Sequence, residues 1–216
     1  MIEFSLKKRT NRVLIDPLFP ERTCSAAREV IASGGVIVYP TDTYYALGAD
    51  PRNRAAVEKI FALKGRPAHN PILLLIRDTS DVCSWAVNIT RGAENLMKRF
   101  WPGPLTLVFD AQHTVLNELS AGTNSIGLRV PAEARVQKLL AGIGGALTAT
   151  SANISGKQSV ETVDELPESI LNNADLILDG GKTIGGKPST VVDTRYERVI
   201  ILREGAISAN EVLKTA

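Results

Sequence analysis

The segment Ala62–Ile76 reads ALKGRPAHNPILLLI and joins the end of a predicted helix to a predicted strand. Its cations, Lys64 and Arg66, stand two residues apart, and two prolines restrict the backbone that follows them. The aliphatic run Ile72–Ile76 has the composition of a strand that is buried on both faces. We therefore expect a stiff, polar and exposed cationic loop at the entrance to a buried strand.

Other short aliphatic runs alternate with helical patterns along the chain, which indicates an α/β fold. Arg54–Leu63 repeats apolar residues at helical spacing after a capping Asn53, and Ser208–Glu211 is a capping box that opens a last helix. The last two strands follow each other closely, so the sheet is predicted to be mixed. The predicted strands are Val36–Tyr39, Ile72–Ile76, Leu105–Phe109, Ile126–Val130, Ala146–Thr150, Leu176–Leu178, Thr190–Asp193 and Val199–Leu202, with further helices over Ala26–Ser33 and Thr90–Phe100.

The composition is that of an ordinary globular protein. Hydrophobic residues make up 44% of the 216 residues, charged residues make up 22%, and the formal net charge is only +2. This charge falls short of the balance expected of a dedicated nucleic-acid binder. The two cysteines and two histidines lack the spacing of a metal site, which predicts no protein-bound metal. The sequence shows neither a signal peptide nor an apolar run of about 18 residues, so we expect a cytoplasmic protein without a membrane span.

Polar side chains cluster where the predicted strands end, which is where an open α/β sheet offers a ligand site. The clusters contain hydroxyls, amides and cations, but no histidine base and no metal-ligand set. Such groups suit an anionic, polyhydroxylated ligand such as a nucleotide, whose transfer reactions need mainly positioning and charge neutralisation. Taken singly, such clusters are most often turns, loops or helix ends, and it is their joint occurrence beside predicted strands that favours a site. The clusters are Pro40–Tyr45, Lys64–Arg66 with Asn70, Thr123–Ser125 with Arg129, Thr150–Gly156 and Ser189–Thr190.

A further glycine-rich stretch, Gly180–Ser189, reads GGKTIGGKPS. Its glycines have neither the spacing of a dinucleotide-binding turn nor that of a phosphate-binding loop. Because it has paired glycines and no apolar anchors, it is predicted to be a flexible loop of low local stability that can act as a lid.

Six segments of the sequence occur in the order seen in one family. Their order and spacing resemble the YrdC-like family, the threonylcarbamoyl-AMP synthases, over roughly residues 25 to 208. The resemblance implies a twisted mixed α/β sheet with flanking helices around a large cationic cavity. It also implies a short, single YrdC-like domain over residues 1–216, with its core at about 25–208 and an N-terminal extension over 1–24. The segments are YPTDTYYALG (Tyr39–Gly48), KGRPAHNP (Lys64–Pro71), WPGPLTLV (Trp101–Val108), GLRVP (Gly127–Pro131), TSANISG (Thr150–Gly156) and STVVD (Ser189–Asp193).

Membership of this family implies a nucleotidyltransferase reaction. Such an enzyme condenses L-threonine, bicarbonate and ATP into L-threonylcarbamoyladenylate and releases pyrophosphate. Magnesium is expected because ATP is handled as its magnesium complex. Downstream tRNA-modification proteins would then transfer the threonylcarbamoyl group to the adenosine at position 37 of tRNA.

The resemblance also implies roles for individual residues. Lys64 and Arg66 would neutralise the phosphates of ATP and take part in catalysis, since two cations suit a triphosphate. Arg129 suits the carboxylate of threonine. Some family members carry a histidine that touches threonine near the position of Leu75, which is aliphatic here. The residues expected to contact ATP are Lys64, Arg66, Asn70, Ser125, Asn153 and Arg203, and those expected to contact L-threonine are Thr43, Arg129, Ser151 and Ser189, beside a wall shaped by Thr41, Asp42 and Tyr45.

Other functions are also compatible with the sequence. YrdC-like domains occur in carbamoyltransferases that use carbamoyl phosphate, usually within larger chains. A YciO-like branch shares the fold but departs from the Lys-x-Arg loop, which is intact here at Lys64 and Arg66. A non-enzymatic RNA-binding protein would use the cationic cavity and the basic segment Lys7–Arg9. Aromatic residues for base stacking make up only 5% of the chain, so we expect RNA binding to be weak.

Overall fold

The computed structural model describes residues 11–14, 21–65 and 70–216. Arg66 and the basic segment Lys7–Arg9, to which the sequence assigns roles, lie outside these residues. Eleven strands in the described part of the chain form a single sheet. They are β1 (Asn11–Leu14), β2 (Ile37–Pro40), β3 (Tyr45–Gly48), β4 (Leu73–Ile76), β5 (Ala86–Val87), β6 (Leu105–Ala111), β7 (Ser125–Arg129), β8 (Ala146–Ser151), β9 (Leu176–Asp179), β10 (Thr190–Asp193) and β11 (Ile200–Arg203).

The sheet is twisted and mixed, as the sequence predicts. Its strands lie in the order β1-β9-β2-β3-β8-β4-β7-β6-β10-β11, and β5 pairs with β6. In its middle, β4 pairs in parallel with β7 and antiparallel with β8. Near one edge, β10 pairs in parallel with β6 and antiparallel with β11. The predicted α/β class is therefore confirmed.

Helices flank the sheet, and their ends follow the capping signals of the sequence. Asn53 Oδ1 accepts a hydrogen bond from the Ala56 N–H at 3.2 Å, and Gly65 ends the same helix in the left-handed conformation, with φ of 55°. The capping box at Ser208 and Glu211 is present. None of the described helices is long and apolar enough to cross a membrane. They are α1 (Glu21–Ala32), α2 (Arg54–Lys64), α3 (Arg91–Phe100), α4 (Asn117–Ser120), α5 (Ala134–Gly142), α6 (Glu168–Asn173) and α7 (Ala209–Thr215).

All eight predicted strands are present, each within one or two residues of its predicted bounds. The sequence analysis missed the short strands β1, β3 and β5 and the helices α4, α5 and α6. β3 was hidden because it follows the polar cluster Pro40–Tyr45 directly and contains only four residues. β1 lies inside the expected N-terminal extension over 1–24 and pairs with β9 of the sheet. The expected single domain over residues 1–216 stays a prediction.

The strands beside the cavity alternate between two kinds of side chain. In β6, Leu105, Leu107 and Phe109 belong to the larger core cluster, whereas Thr106 and Val108 line a cavity. Successive residues of a strand point to opposite faces, so one face is core and the other is the cavity floor. The alternation continues in β4, β7 and β10, whose core residues are Leu74, Ile76, Ile126, Leu128 and Val192, and whose cavity residues are Leu73, Leu75, Ser125, Gly127, Arg129, Val191 and Asp193.

The helices α1 and α5 cover only part of the cavity-side face. Their buried residues Ile31 and Leu139 form a second core cluster with Ile37 and Leu147 of the sheet. Leu75 belongs to this cluster and also lines the cavity, which places the cavity beside these two helices on the same face. The cavity thus occupies the part of that face which these helices leave open.

Candidate functional site

The cavity has a volume of about 530 Å³, which is within the usual range for a small-molecule site. Thr106, Gly127 and Ala149 face it from three different strands. Small side chains at these positions leave space above the sheet that large aliphatic side chains would fill. Tyr44, Pro188 and several polar residues complete the walls. The strands that form the core on one face therefore build a ligand-sized space on the other.

Most of the residues that the sequence assigns to the site line this one cavity. Six of them do so: Thr43, Ser125, Arg129, Ser151, Ser189 and Arg203. Lys64, Asn70 and Asn153 do not line it, although Pro71, which follows Asn70, does. Arg66 lies outside the described residues. The structure therefore brings together the expected threonine contacts and two of the six expected ATP contacts.

Arg129, at the end of β7, is held by two partners in the cavity wall. Its Nε donates to the backbone oxygen of Gly103 at 2.9 Å, and its Nη2 donates to Oδ2 of Asp42. The side chain of Arg129 is only 6% exposed, so this ion pair is shielded from water. A guanidinium carries five N–H groups in a fixed plane. These two bonds hold that plane and leave other N–H groups for a ligand.

Arg203, at the end of β11, is the second arginine of the cavity. Its Nη2 donates to the backbone oxygen of Ser189 at 2.8 Å. Burial and the positive charge of Arg129 both lower the pKa of Arg203. Each effect opposes a positive charge at this place, and an anion near both arginines would relieve them. Both arginines line the cavity, so two guanidinium groups face a ligand there.

The expected excess of positive charge in the cavity stays a prediction. A third lining arginine, Arg195, forms an ion pair with Asp193, in which Nη2 and Oδ2 lie 2.7 Å apart. Burial raises the pKa of Asp193, but the hydrogen bonds and charge of Arg195 outweigh it, and the net pKa is lowered. Arg129 is likewise paired with Asp42. Two of the three lining arginines are thus matched by carboxylates.

Lys64 is not exposed, and this part of the sequence interpretation is wrong. It is the last residue of α2 and is only 1% exposed. Its Nζ donates to the backbone oxygens of Ser151 and Asn153 and to Oδ1 of Asn153, the last at 3.3 Å. The side chain was expected to leave the helix end for solvent. It turns inwards because the end of β8 and the loop that follows it offer oxygen acceptors there.

Asn153 completes this arrangement behind Ser151. Its Oδ1 also accepts a hydrogen bond from the Ser151 hydroxyl, and its Nδ2 donates to the backbone oxygen of Ile154 at 3.1 Å. The backbone N–H of Ser155 donates to the oxygen of Lys64 at 3.0 Å. The end of α2 and the loop after β8 are therefore tied together, and Ser151 is the member of this network that reaches the cavity.

Hydroxyl groups in the cavity occur in pairs. The side-chain oxygens of Ser189 and Thr106 lie 3.0 Å apart, and those of Ser125 and Thr123 lie 2.7 Å apart. Each pair can donate a hydrogen bond to a ligand or accept one from it, because a hydroxyl can rotate to serve either role. The sequence analysis missed Thr106. In the sequence, Thr106 alternates with Leu105 and Leu107, which places it on the opposite face of β6 and could have identified it as a cavity residue.

The loop Gly180–Ser189 has anchors that the sequence analysis did not foresee. Three consecutive residues before and within β3 hold it: Gly185 N–H donates to the oxygen of Thr43 at 2.8 Å, Tyr44 donates to Gly186, and Tyr45 donates to Gly181 at 2.6 Å. The Tyr45 hydroxyl is the donor of this bond, and burial raises its pKa to about 12. The anchors are polar, whereas Ile184 at the loop tip is 82% exposed.

Comparison with known proteins places this architecture in one family. The family model Sua5_yciO_yrdC, described as "Telomere recombination", matches residues 29–205. A protein of Pyrococcus abyssi named threonylcarbamoyl-AMP synthase is 38% identical over 85% of this chain and 54% of its own length. The crystal structure of P. abyssi Sua5 complexed with L-threonine has a TM-score of 0.88 at 35% identity, over 95% of this chain and 60% of that one.

A second solved structure has the length of this chain. Escherichia coli YciO has a TM-score of 0.84 at 30% identity and is matched over 100% of its length and 96% of this chain. In contrast, the chain spans about half the length of the curated relatives from P. abyssi and Bacillus subtilis. The matched residues 29–205 contain every residue that lines the cavity. The chain therefore belongs to the Sua5/YciO/YrdC family.

Proposed function

We propose that this chain is a threonylcarbamoyl-AMP synthase, a nucleotidyltransferase that condenses L-threonine, bicarbonate and ATP and releases pyrophosphate. The observation that carries the proposal is the cavity in which Arg129 and Arg203 meet four of the expected hydroxyl residues. The names of its relatives support it, including the complex of P. abyssi Sua5 with L-threonine. The product would supply tRNA-modification proteins of the cytoplasm.

The threonine end of the cavity is proposed to lie at Arg129. Its guanidinium would bind the carboxylate, and Thr43, Ser151 and Ser189 would supply hydroxyl contacts. All four line the cavity, which is the support for this assignment. Leu75 also lines it, so an aliphatic contact replaces the histidine that some family members carry.

The ATP end is proposed to lie at Ser125 and Arg203, which share the cavity with the threonine end. Arg66 and Asn70 would add contacts to the phosphates, with magnesium entering as part of the substrate complex. The expected phosphate contact of Lys64, and with it the catalytic role, stays a prediction. Its ammonium group would first have to exchange the oxygens of Ser151 and Asn153 for phosphate oxygens.

The proposal predicts pyrophosphate release that requires ATP, L-threonine and bicarbonate together. Arg203→Ala should raise the KM for ATP by about tenfold to a hundredfold, because it removes a charge-assisted contact. Arg198→Ala is the matched control, since Arg198 is exposed just before β11, and its kinetics should be unchanged. Equal release without threonine would reject the proposal.

The same assay separates the competing functions. A carbamoyltransferase-type relative would require carbamoyl phosphate as the source of its carbamoyl group in place of bicarbonate. A non-enzymatic RNA-binding protein would release no pyrophosphate and would bind tRNA in a filter assay. The low aromatic content predicts weak RNA binding for the proposed synthase.

The loop Gly180–Ser189 is expected to respond to ligands although it is anchored. Thr183 N–H donates to the oxygen of Glu161 at 2.9 Å, and Gly185 N–H donates to Thr43, an expected threonine contact. ATP with threonine should therefore slow hydrogen exchange at these two amides. The amides of β9, which lie in the sheet, serve as the internal control. Exchange that is unchanged at saturating ligand would remove the lid from the proposal.

A further inference from the structure

A carboxylate with an unused oxygen stands beside the proposed threonine-binding arginine. Asp42 lies between Thr41 and Thr43, which both line the cavity, and its Oδ2 accepts from Nη2 of Arg129. Its other oxygen, Oδ1, is buried and has no hydrogen-bond partner in the described part of the chain. The side chain as a whole is 11% exposed. A buried acceptor without a donor costs free energy, which a ligand that brings a donor would recover.

The pair formed by Arg129 and Asp42 presents donors and an acceptor side by side. An α-amino acid carries the opposite pattern, because its carboxylate and its ammonium group are attached to the same carbon. Complementary charges of this kind fix the orientation of a ligand more than they raise its affinity. Asp42 does not itself line the cavity, but the terminal torsion of an aspartate is broad, so its carboxylate can rotate at a small energetic cost when a ligand binds beside it.

We propose that Asp42 is a specificity-determining residue that receives the ammonium group of the amino-acid substrate while Arg129 binds its carboxylate. The inference rests on the proposed function and adds to it a reason why an α-amino acid, and not the corresponding α-hydroxy acid, is used. A hydroxyl in place of the ammonium group would give Asp42 a neutral donor where a charged one is needed. Charged hydrogen bonds are the stronger kind.

Calorimetric binding measurements with two ligands test this proposal. The ligands are L-threonine and 2,3-dihydroxybutanoate, in which a hydroxyl replaces the ammonium group. The wild-type protein should prefer threonine by about tenfold, which is the difference between a charged and a neutral hydrogen bond. Asp42→Asn keeps the size of the side chain but removes its charge. The preference for threonine should then fall to about threefold or less, because both ligands make only a neutral hydrogen bond to the amide. Asp50→Asn is the control, because Asp50 accepts from Arg52 N–H at 2.9 Å and does not line the cavity.

Four results would count against the proposal, and they are distinguishable. A wild-type protein that binds both ligands equally overturns it without any variant. An Asp42→Asn protein that keeps the wild-type preference overturns it, whether its two affinities are unchanged or are both reduced to the same degree. An equal reduction would mean that Asp42 acts only by holding Arg129. A wild-type protein that neither binds threonine nor requires it for pyrophosphate release rejects the proposed function itself.

Discussion

Replacing Lys64 with alanine is expected to lower the free energy of unfolding by about 3 kcal/mol. The ammonium group is buried and donates to oxygens of Ser151 and Asn153. Alanine would leave these acceptors without their donor and would leave a gap at the end of α2. Turnover should fall as well, because the same network holds Ser151 at the cavity. Urea unfolding with an unchanged m-value measures the first effect.

Two further variants identify the cause of that loss. Lys157→Ala removes an exposed lysine from the loop that follows β8. It should change the free energy of unfolding by no more than about 0.5 kcal/mol. Lys64→Met retains most of the side-chain volume but none of the donors, so it should keep the greater part of the loss. If Lys64→Ala is as stable as the wild type and only its KM for ATP rises, the ammonium group serves phosphate and not the loop.

Arg129→Ala is expected to be the most damaging single change in the cavity. It would leave the carboxylate of Asp42 buried without its ionic partner, and such a loss costs about 3–5 kcal/mol. Threonine binding should also become undetectable at concentrations that saturate the wild-type protein. Calorimetry measures the binding, and thermal unfolding measures the stability.

The double variant Asp42→Ala/Arg129→Ala provides the decisive comparison. It removes both charges, so its stability should exceed that of Arg129→Ala, whereas threonine binding should remain lost. Glu21→Ala is the control, because it breaks only an exposed ion pair: Glu21 and Arg28 are 84% and 49% exposed, and Oε1 and Nη2 lie 3.4 Å apart. It should cost about 1 kcal/mol or less. If the double variant is no more stable than Arg129→Ala, the unpaired carboxylate of Asp42 is not the cause of the lost stability.

The core strands could be predicted from the sequence because each is a short run of aliphatic or β-branched residues bounded by turn residues. Ile72–Ile76 and Thr190–Asp193 are of this kind, and both are found almost unchanged as β4 and β10. The order of the strands could not be predicted, since it depends on contacts between distant segments. β3 shows the limit for local patterns, because four buried residues next to a polar turn carry no distinct periodicity.

The position of the candidate site residues could be predicted for those on strands and not for Lys64, which ends helix α2. Arg129 and Ser125 are at the two ends of β7, and strand parity directs both to the cavity. Lys64 has no such constraint, because a long side chain at a helix end can turn to solvent or inwards. Its direction is set by oxygens of Ser151 and Asn153, nearly ninety residues away in the chain.

On the strands that form the cavity floor, alternate positions differ in what a substitution there would change. Thr106 and Gly127 face the cavity, whereas Leu107 and Leu128, one residue further on, are fully buried in the core. A substitution at the first pair alters the shape offered to a ligand, whereas one at the second pair alters folding. Selection can therefore reshape substrate preference at every other position of a strand while the intervening positions stay fixed. Related proteins with this sheet could diverge in chemistry without rebuilding their cores.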